Sequence, residues 1–267
     1  MSSSLPATGQ QVREWCRTGK WNSPTAGLAP GYVQANLVVL PVDFAYDFLL
    51  FCQRNPKPCP LLEVLDKGSS RTLATSITAD IQTDLPKYRI FRDGILDQEV
   101  ENITNFWRED LVSFLIGCSF TFDAALQASG IPVRHEQEKR NVPMYRTNIP
   151  CKSAGVFKGP MVVSMRPMQP SDGLRACQIT GKFPRVHGAP IHIGNPLEIG
   201  IQDLTKPDYG EAVTIHSSES PVFWACGVTP QAVAVNSKIP FLITHSPGHM
   251  LVTDWKDQDL EGEERVL

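Results

Sequence analysis

NLVVLPVDFAYDFLLFCQRNPKPCPLLEV, residues 36–64, reads as strand, helix, polar loop and strand. Its ends, Asn36 to Pro41 and Leu61 to Leu65, are short apolar runs. Between them Phe44, Phe48 and Phe51 recur at steps of four and three, the spacing of one helix face. Asp43 stands near the helix start, where a carboxylate suits the dipole. Pro56 ends the helix, because it donates no hydrogen bond and disfavours helical geometry in Asn55. Two strands joined by a helix argue for a parallel sheet with helices on its faces, the α/β class. The polar loop collects Gln53, Arg54, Asn55 and Lys57 at a helix end. An Arg fork beside an amide suits a planar carboxylate. The alternative is that Arg54 and Lys57 cap the last helix carbonyls and face water.

Outward from this unit the texture changes and then returns. Val12, Trp15 and Cys16 give a helical face near the N-terminus, broken at Asn22-Ser23-Pro24. Asp93-Gly94 between two extended runs predicts a hairpin. Thr104 predicts a capped helix through Leu115, and a second helix follows Gly117-Cys118-Ser119. Met161 to Met165 reads as a strand, and Ser171-Asp172 as the cap of a helix ended by Gly181. Strands are expected again at 197–201, 221–226, 241–245 and 250–254. The expected architecture is α/β and two-domain. Residues 1–70 and 196–267 form a three-layer αβα domain with a mainly parallel or mixed sheet. Residues 71–195 form an inserted, smaller, two-layer α+β domain, and the site is expected at the interdomain cleft.

Composition bounds the function. The chain has 267 residues, 42% of them hydrophobic and 20% charged, with a formal net charge of −3. That is ordinary for a globular protein with a substantial core. Without a basic stripe, nucleic acid is not an expected partner. No apolar stretch approaches the ~20 residues of a membrane helix. Met1 to Pro6 lacks a basic and an apolar region, so no secretory signal is expected. Seven cysteines without a CxxC pair read as reduced thiols, with Cys52, Cys118 and Cys177 in the core. These features together predict a cytoplasmic enzyme. The acidic run from Asp257 to Glu264 reads as a solvated tail.

Four segments bear candidate chemistry. His245-Ser246-Pro247-Gly248-His249 is a polar turn between two short strands. Strand ends are where open αβ sheets bind ligands. Two histidines in five residues invite a metal, but this spacing suits a helix rather than a turn. Catalytic, substrate-binding and purely structural roles stay open. His187 and His192 lie on an irregular Gly- and Pro-containing loop, with the same alternatives. Cys226 and Gly227 precede a helix expected to start with Thr229 as cap and Pro230 at its first position. There the dipole favours an anion and lowers a thiol pKa. The turn is read as a carboxylate cradle, a nucleophile at Cys226, or a buried small residue before a capped helix. Arg146 with Asn148, and Arg166 before Pro167, place guanidiniums in extended sequence. Facing a cleft, they suit a dicarboxylic acid; on the surface they form salt bridges.

Eight segments in order carry a family resemblance: residues 36–64, ADIQTDLPKYRIF (79–91), DLVSFLIGCSFTFDAAL (110–126), MYRTNIPC (144–151), GPMVVSMRP (159–167), HGAPIHIG (187–194), PVFWACGVTPQ (221–231) and ITHSPGHMLVTD (243–254). The chain resembles the D-glutamate cyclase family, whose bacterial members are described as hydro-lyases of unassigned substrate. The resemblance implies two α/β-type domains. It also implies a lyase that interconverts D-glutamate and 5-oxo-D-proline with loss of water, or acts on a related small carboxylic acid. Such chemistry needs a base for the α-amine, acid help for the departing oxygen and donors for the oxyanion. Proton transfer is assigned to His245 or His187, with His249, His192 and Cys226 as further catalytic candidates. Gln53, Arg54, Asn55, Arg146, Asn148 and Arg166 would hold carboxylates, and Gly227 with Thr229 would stabilise charge. No nucleotide-binding loop is present and no cofactor is expected. The activity of relatives is compatible with a divalent metal, for which the sequence supplies no recognisable cage. A homo-oligomer is equally compatible. The alternatives are a hydratase or dehydratase on another hydroxy- or amino-acid, and a non-catalytic binding protein for small carboxylates.

Overall fold

A computed structural model describes residues 5–262. In chain order its elements are α1 (Gly9–Arg17), β1 (Tyr32–Pro41), α2 (Val42–Arg54), β2 (Leu61–Val64), β3 (Tyr88–Arg92), β4 (Ile95–Val100), β5 (Leu111–Gly117), α3 (Phe120–Ala128) and α4 (Arg134–Gln137). They continue with β6 (Met144–Pro150), β7 (Pro160–Met168), α5 (Pro170–Thr180), β8 (His192–Ile193), β9 (Ser220–Ala225), α6 (Val228–Asn236), β10 (Leu242–His245) and β11 (Leu251–Lys256). The fold is α/β, with helices packed on antiparallel sheets. The larger sheet runs β2-β5-β1-β10-β3-β4, with β11 also on β1; the smaller runs β6-β7-β9-β8.

The strand–helix–strand unit stands as read, but its sheet is not parallel. Strand β5 lies between β1 and β2 and is antiparallel to both. The two outer strands therefore run the same way without touching. Every pairing among the described strands is antiparallel, which corrects the expected mainly parallel sheet. The cause is β5 itself. Leu111–Gly117 is buried at all seven positions, so it shows no alternation and imitates a buried helix face. The expected helix from Thr104 is only a 3-10 turn, Thr104–Phe106.

Strand β1 shows why layers form. Val33, Ala35, Leu37 and Val39 face one core, while Val38 and Leu40 face another. The period of two places helices on both sides of the sheet. Phe48 and Phe51 of α2 and Val233 of α6 fill one layer. Phe122 and Leu126 of α3 fill the other, together with Ala176 of α5 and Val222 and Trp224 of β9. The two sheets thus share a core. The division expected at residues 70 and 196 is not the division between sheets. β3, β4 and β5 complete the larger sheet, and β9 belongs to the smaller.

Local signals fared unevenly. The Asp93-Gly94 turn joins β3 to β4 with φ of 50° and 77°, the paired positive values of a tight hairpin. Helix α5 starts at Pro170 with Gln169 at its cap position, so Ser171 and Asp172, expected as the cap, lie inside its first turn. Gly181 closes it with right-handed φ. Residues 196–199 form a 3-10 turn rather than a strand. Helix α6 starts at Val228 with Gly227 as its cap position, so Thr229 and Pro230 lie inside the first turn. Cys52 and Cys118 are buried as expected, whereas Cys177 is half-buried, and all seven cysteines are free thiols. No described helix is long and apolar enough to cross a membrane. Of the acidic tail, residues 263–264 lie outside the described residues, and Asp257–Leu260 forms a 3-10 turn.

Candidate functional site

The antiparallel order brings β10, β3 and the first turns of α6 to one side of the larger sheet. The smaller sheet adds Arg146 of β6, beside Tyr209, whose backbone bridges to Met144. A pocket of about 160 Å³ opens there, lined by Arg89, Arg146, Tyr209, Gln231, Asn236, Thr244, His245 and neighbouring apolar groups. Arg146 Nη2 donates to the Tyr209 hydroxyl at 2.9 Å, and Asp208 stands 3.9 Å from its Nε. Arg89 lies opposite Thr244 in the ladder and donates Nε to Glu99 at 3.0 Å. Each guanidinium has five donors, so these contacts leave others for a ligand.

His245 ends β10, opposite Tyr88 of β3. Its Nδ1 accepts the Leu37 N–H at 3.0 Å, which puts the ring proton on Nε2. The Gln231 side-chain nitrogen lies 2.6 Å from Nδ1 and 3.3 Å from Nε2, pinning amide to ring. Burial is the main cause that pushes this histidine down to about 3, with charge on His249 and Arg89 adding to it. It is neutral near pH 7. His249, half-buried on the same turn, donates Nδ1–H to the Pro247 carbonyl, and burial lowers its pKa as well.

Other expected residues lie elsewhere. His187 is buried with φ of 85° and donates Nδ1–H to the Lys57 carbonyl at 2.9 Å, leaving Nε2 without a partner. Burial, then the charges of Lys57 and Arg166, hold it at about 4. His192 donates Nε2–H to the Asn195 carbonyl at the edge of the smaller sheet. Cys226 reverses its expectation. Burial pushes its thiol up to about 11, overriding the helix terminus, so it is no thiolate nucleophile near neutral pH.

The α2 loop does not form a carboxylate grip. Asn55 spends its amide on Phe51 and Lys152 carbonyls and on the Lys152 N–H, each at 2.8 Å. Arg54 donates to the Ser153 carbonyl, and Gln53 is exposed. Both anchor or flank the 152–153 segment rather than a ligand. Asn148 is exposed against Gly200. Thr229 staples α6 to β7, its hydroxyl accepting the Val162 N–H at 3.0 Å and donating to the Val162 carbonyl at 3.1 Å. A Cβ at Gly227 would stand 2.0 Å from the Asn36 amide, so that glycine serves close packing. With these contacts the turn is filled by protein and offers no open cradle.

Arg166 forms a buried hub. It holds both oxygens of Asp123 at 2.7 Å and donates to Ser119 at 3.1 Å and Ser164 at 3.0 Å. His135 approaches Asp123 at 3.7 Å, and burial lowers it to about 4, so the contact is no ion pair near pH 7. Among the described residues, Asp123, His135 and Glu136 are the group whose donor atoms could share a metal, lying within 4.8 Å of one another.

The structure thus joins His245 and Arg146 in one pocket and leaves the remaining expected residues outside it. Arg89, Tyr209 and Gln231 went unread. Gln231 had a signal, lying one turn into the helix that follows the strand expected at 221–226, within a segment that carries the family resemblance. Arg89 lies in the 79–91 segment but on a strand with no sign of a ligand, and Tyr209 lies in none; only the tertiary fold brings them close.

Known proteins resemble this chain along its length. The family model for D-glutamate cyclase matches residues 112–254. A Geobacillus kaustophilus protein named "Putative hydro-lyase" is 57% identical over 260 residues, covering 97% of this chain and 99% of its own. A Bacillus subtilis protein with the same description is 60% identical over 251 residues, covering 94% and 98%. A solved nitrogen repressor-like protein from Methanococcus jannaschii covers 90% of this chain and 97% of its own, at 9% identity and a TM-score of 0.37, too distant to bear on the fold. Four of the segments that carry the resemblance, 79–91, 144–151, 221–231 and 243–254, meet in the 160 Å³ pocket. A family model matched over half the chain, with relatives near 60% identity along nearly all of it, means that the chain belongs to the D-glutamate cyclase family.

Proposed function

We propose that this chain is a hydro-lyase acting on a small carboxylated amino acid in the Arg89–Arg146–His245 pocket, with D-glutamate and 5-oxo-D-proline as the leading pair. The relatives carry hydro-lyase names, and the enzyme class is a carbon–oxygen lyase. The observation that carries the reading is the pocket itself. It presents two guanidiniums, a phenol, two amides and a neutral imidazole in about 160 Å³. That is below the roughly 300–1,000 Å³ of sites for drug-sized ligands.

The reaction sets the roles. The α-nitrogen bonds to the γ-carboxyl carbon, a C–O bond breaks, and two ammonium protons leave with the oxygen as water. No net proton is taken up or released. Arg89 and Arg146 anchor the two carboxylates by charge-assisted hydrogen bonds. Anchoring turns ring closure into an oriented intramolecular attack. His245, held neutral with its proton on Nε2, works with Gln231 and Tyr209 as hydrogen-bonding groups for the oxygen that gains and loses charge. The free cysteines suit a reducing, cytoplasmic setting.

The test is lactam formation from D- and L-glutamate followed by NMR, alongside Arg89→Met and Arg146→Met. Losing a charged hydrogen bond costs about 1.5–3 kcal/mol, so each variant is expected to raise KM roughly 10- to 100-fold. Unaltered turnover in both variants would remove the reaction from this pocket. Inertness toward both D-compounds, with turnover of another small carboxylate, would replace the substrate.

A further inference from the structure

We infer that Asp123, His135 and Glu136 form a binding site for one divalent transition-metal ion, at a place separate from the pocket above. Helix α3 presents Asp123, the chain reverses at Gly130 with φ of 78°, and α4 returns His135 and Glu136. Their donor atoms all lie within 4.8 Å of one another. Clustered acids alone say little, but the histidine adds a second, independent observation. His135 is only 1% exposed, and neither of its ring nitrogens has a hydrogen-bond partner. Buried polar groups without partners are rare, and each asks for an explanation such as an absent ion.

The spacing fits that explanation. His135 Nε2 stands 3.7 Å from Asp123 Oδ2, too far for a hydrogen bond. Two donors each about 2.0–2.2 Å from one ion are separated by a similar distance. Phe120 packs against the imidazole with ring centroids 6.1 Å apart, which fixes its orientation. Arg166 already grips both Asp123 oxygens, yet a carboxylate has about four lone-pair positions and can serve both partners. Its positive charge opposes a cation; the second carboxylate, Glu136, offsets it. Arg166 then acts as the outer partner that orients a metal-binding carboxylate. Glu136 is half-buried and accepts from Gln127 on the exposed side, which opens a route from solvent. One nitrogen with two carboxylates suits Zn²⁺, Mn²⁺ or Co²⁺ better than the all-oxygen preference of Mg²⁺ or Ca²⁺.

The experiment strips the full chain with chelator and titrates it with Zn²⁺, Mn²⁺ and Co²⁺, reading bound metal by elemental analysis after dialysis. One equivalent per chain is expected, with a visible Co²⁺ spectrum and a raised melting temperature. Glu136→Gln, isosteric and half-buried, and His135→Leu are each expected to weaken uptake at least tenfold and to abolish the Co²⁺ bands. Circular dichroism confirms that each is folded, and Glu136→Gln decides the matter if His135→Leu is not. No stoichiometric uptake, or uptake that a folded Glu136→Gln keeps at full strength, overturns the site. Because the readout is metal content rather than turnover, failure here leaves the pocket reading untouched.

Discussion

At the scale of the residue, His245 shows how one side chain can be recognised for the right place and the wrong reason. A histidine in a Gly- and Pro-containing turn at a strand end reads as a candidate for proton transfer. In the fold its Nδ1 takes the place of a backbone acceptor for Leu37, so the ring belongs to the sheet as well as to the pocket. His245→Ala is expected to leave a buried N–H unpaired and to lower stability by about 1–3 kcal/mol. Urea denaturation measures this; an unchanged midpoint would mean that water or backbone replaces the ring. Cys226 teaches the opposite lesson. Its position before a helix predicts a lowered thiol pKa, but burial outweighs the dipole and drives it to about 11. Helix position is visible in sequence; burial is set by β7 and α6 closing over it.

At the scale of the element, Gly227 joins β9 to α6 in right-handed conformation, with φ of −65°. Backbone freedom therefore does not demand glycine. Space does, because the Asn36 amide that would meet a Cβ is holding the Ile116 and Gly117 carbonyls at 3.2 and 2.9 Å. Gly227→Ala is expected to cost about 2–4 kcal/mol by overpacking and by displacing those two hydrogen bonds. Adding Asn36→Ala should recover part of the loss in a thermal melt, which simple strain in the α6 turn would not allow. The helix–strand confusion at Leu111–Gly117 has the same origin. A strand covered on both faces and flanked by partners on both edges has no polar side to reveal its period.

At the scale of the whole molecule, the enclosed histidines couple folding to pH. In the unfolded chain each takes up a proton near its ordinary value of 6.5, whereas folded His187 does so only near 4 and His245 near 3. The unfolded state binds more protons through this window. Stability is therefore complete above pH 6.5 and falls as pH drops toward 4, by up to about 1.4 kcal/mol per pH unit for each histidine. Denaturation midpoints at pH 7, 6 and 5 test the slope. A folded His187→Gln variant should show a shallower one, and identical slopes would assign the dependence to other groups.

By itself the sequence determined class, family and most local elements, because these follow from periodicity, breakers and turn chemistry that act over a few residues. The 36–64 unit, the Asp93-Gly94 hairpin, α3 and the two short strands on either side of the His245 turn are all of this kind. Tertiary structure alone decided which strand neighbours which, and with it the site. Inserting β5 between β1 and β2 made that part of the sheet antiparallel and carried strands across the expected domain boundaries, while the pairing of β3 with β10 set Arg89 against Thr244. It also enclosed Asn55, Arg166 and Cys226 among partners that consumed or neutralised them, while Arg146 met Tyr209 and His245 across the joint between the sheets. Side-chain chemistry is written in the residue, but its availability depends on burial and on partners far away in the chain. Those are set only when the sheets close on their shared core.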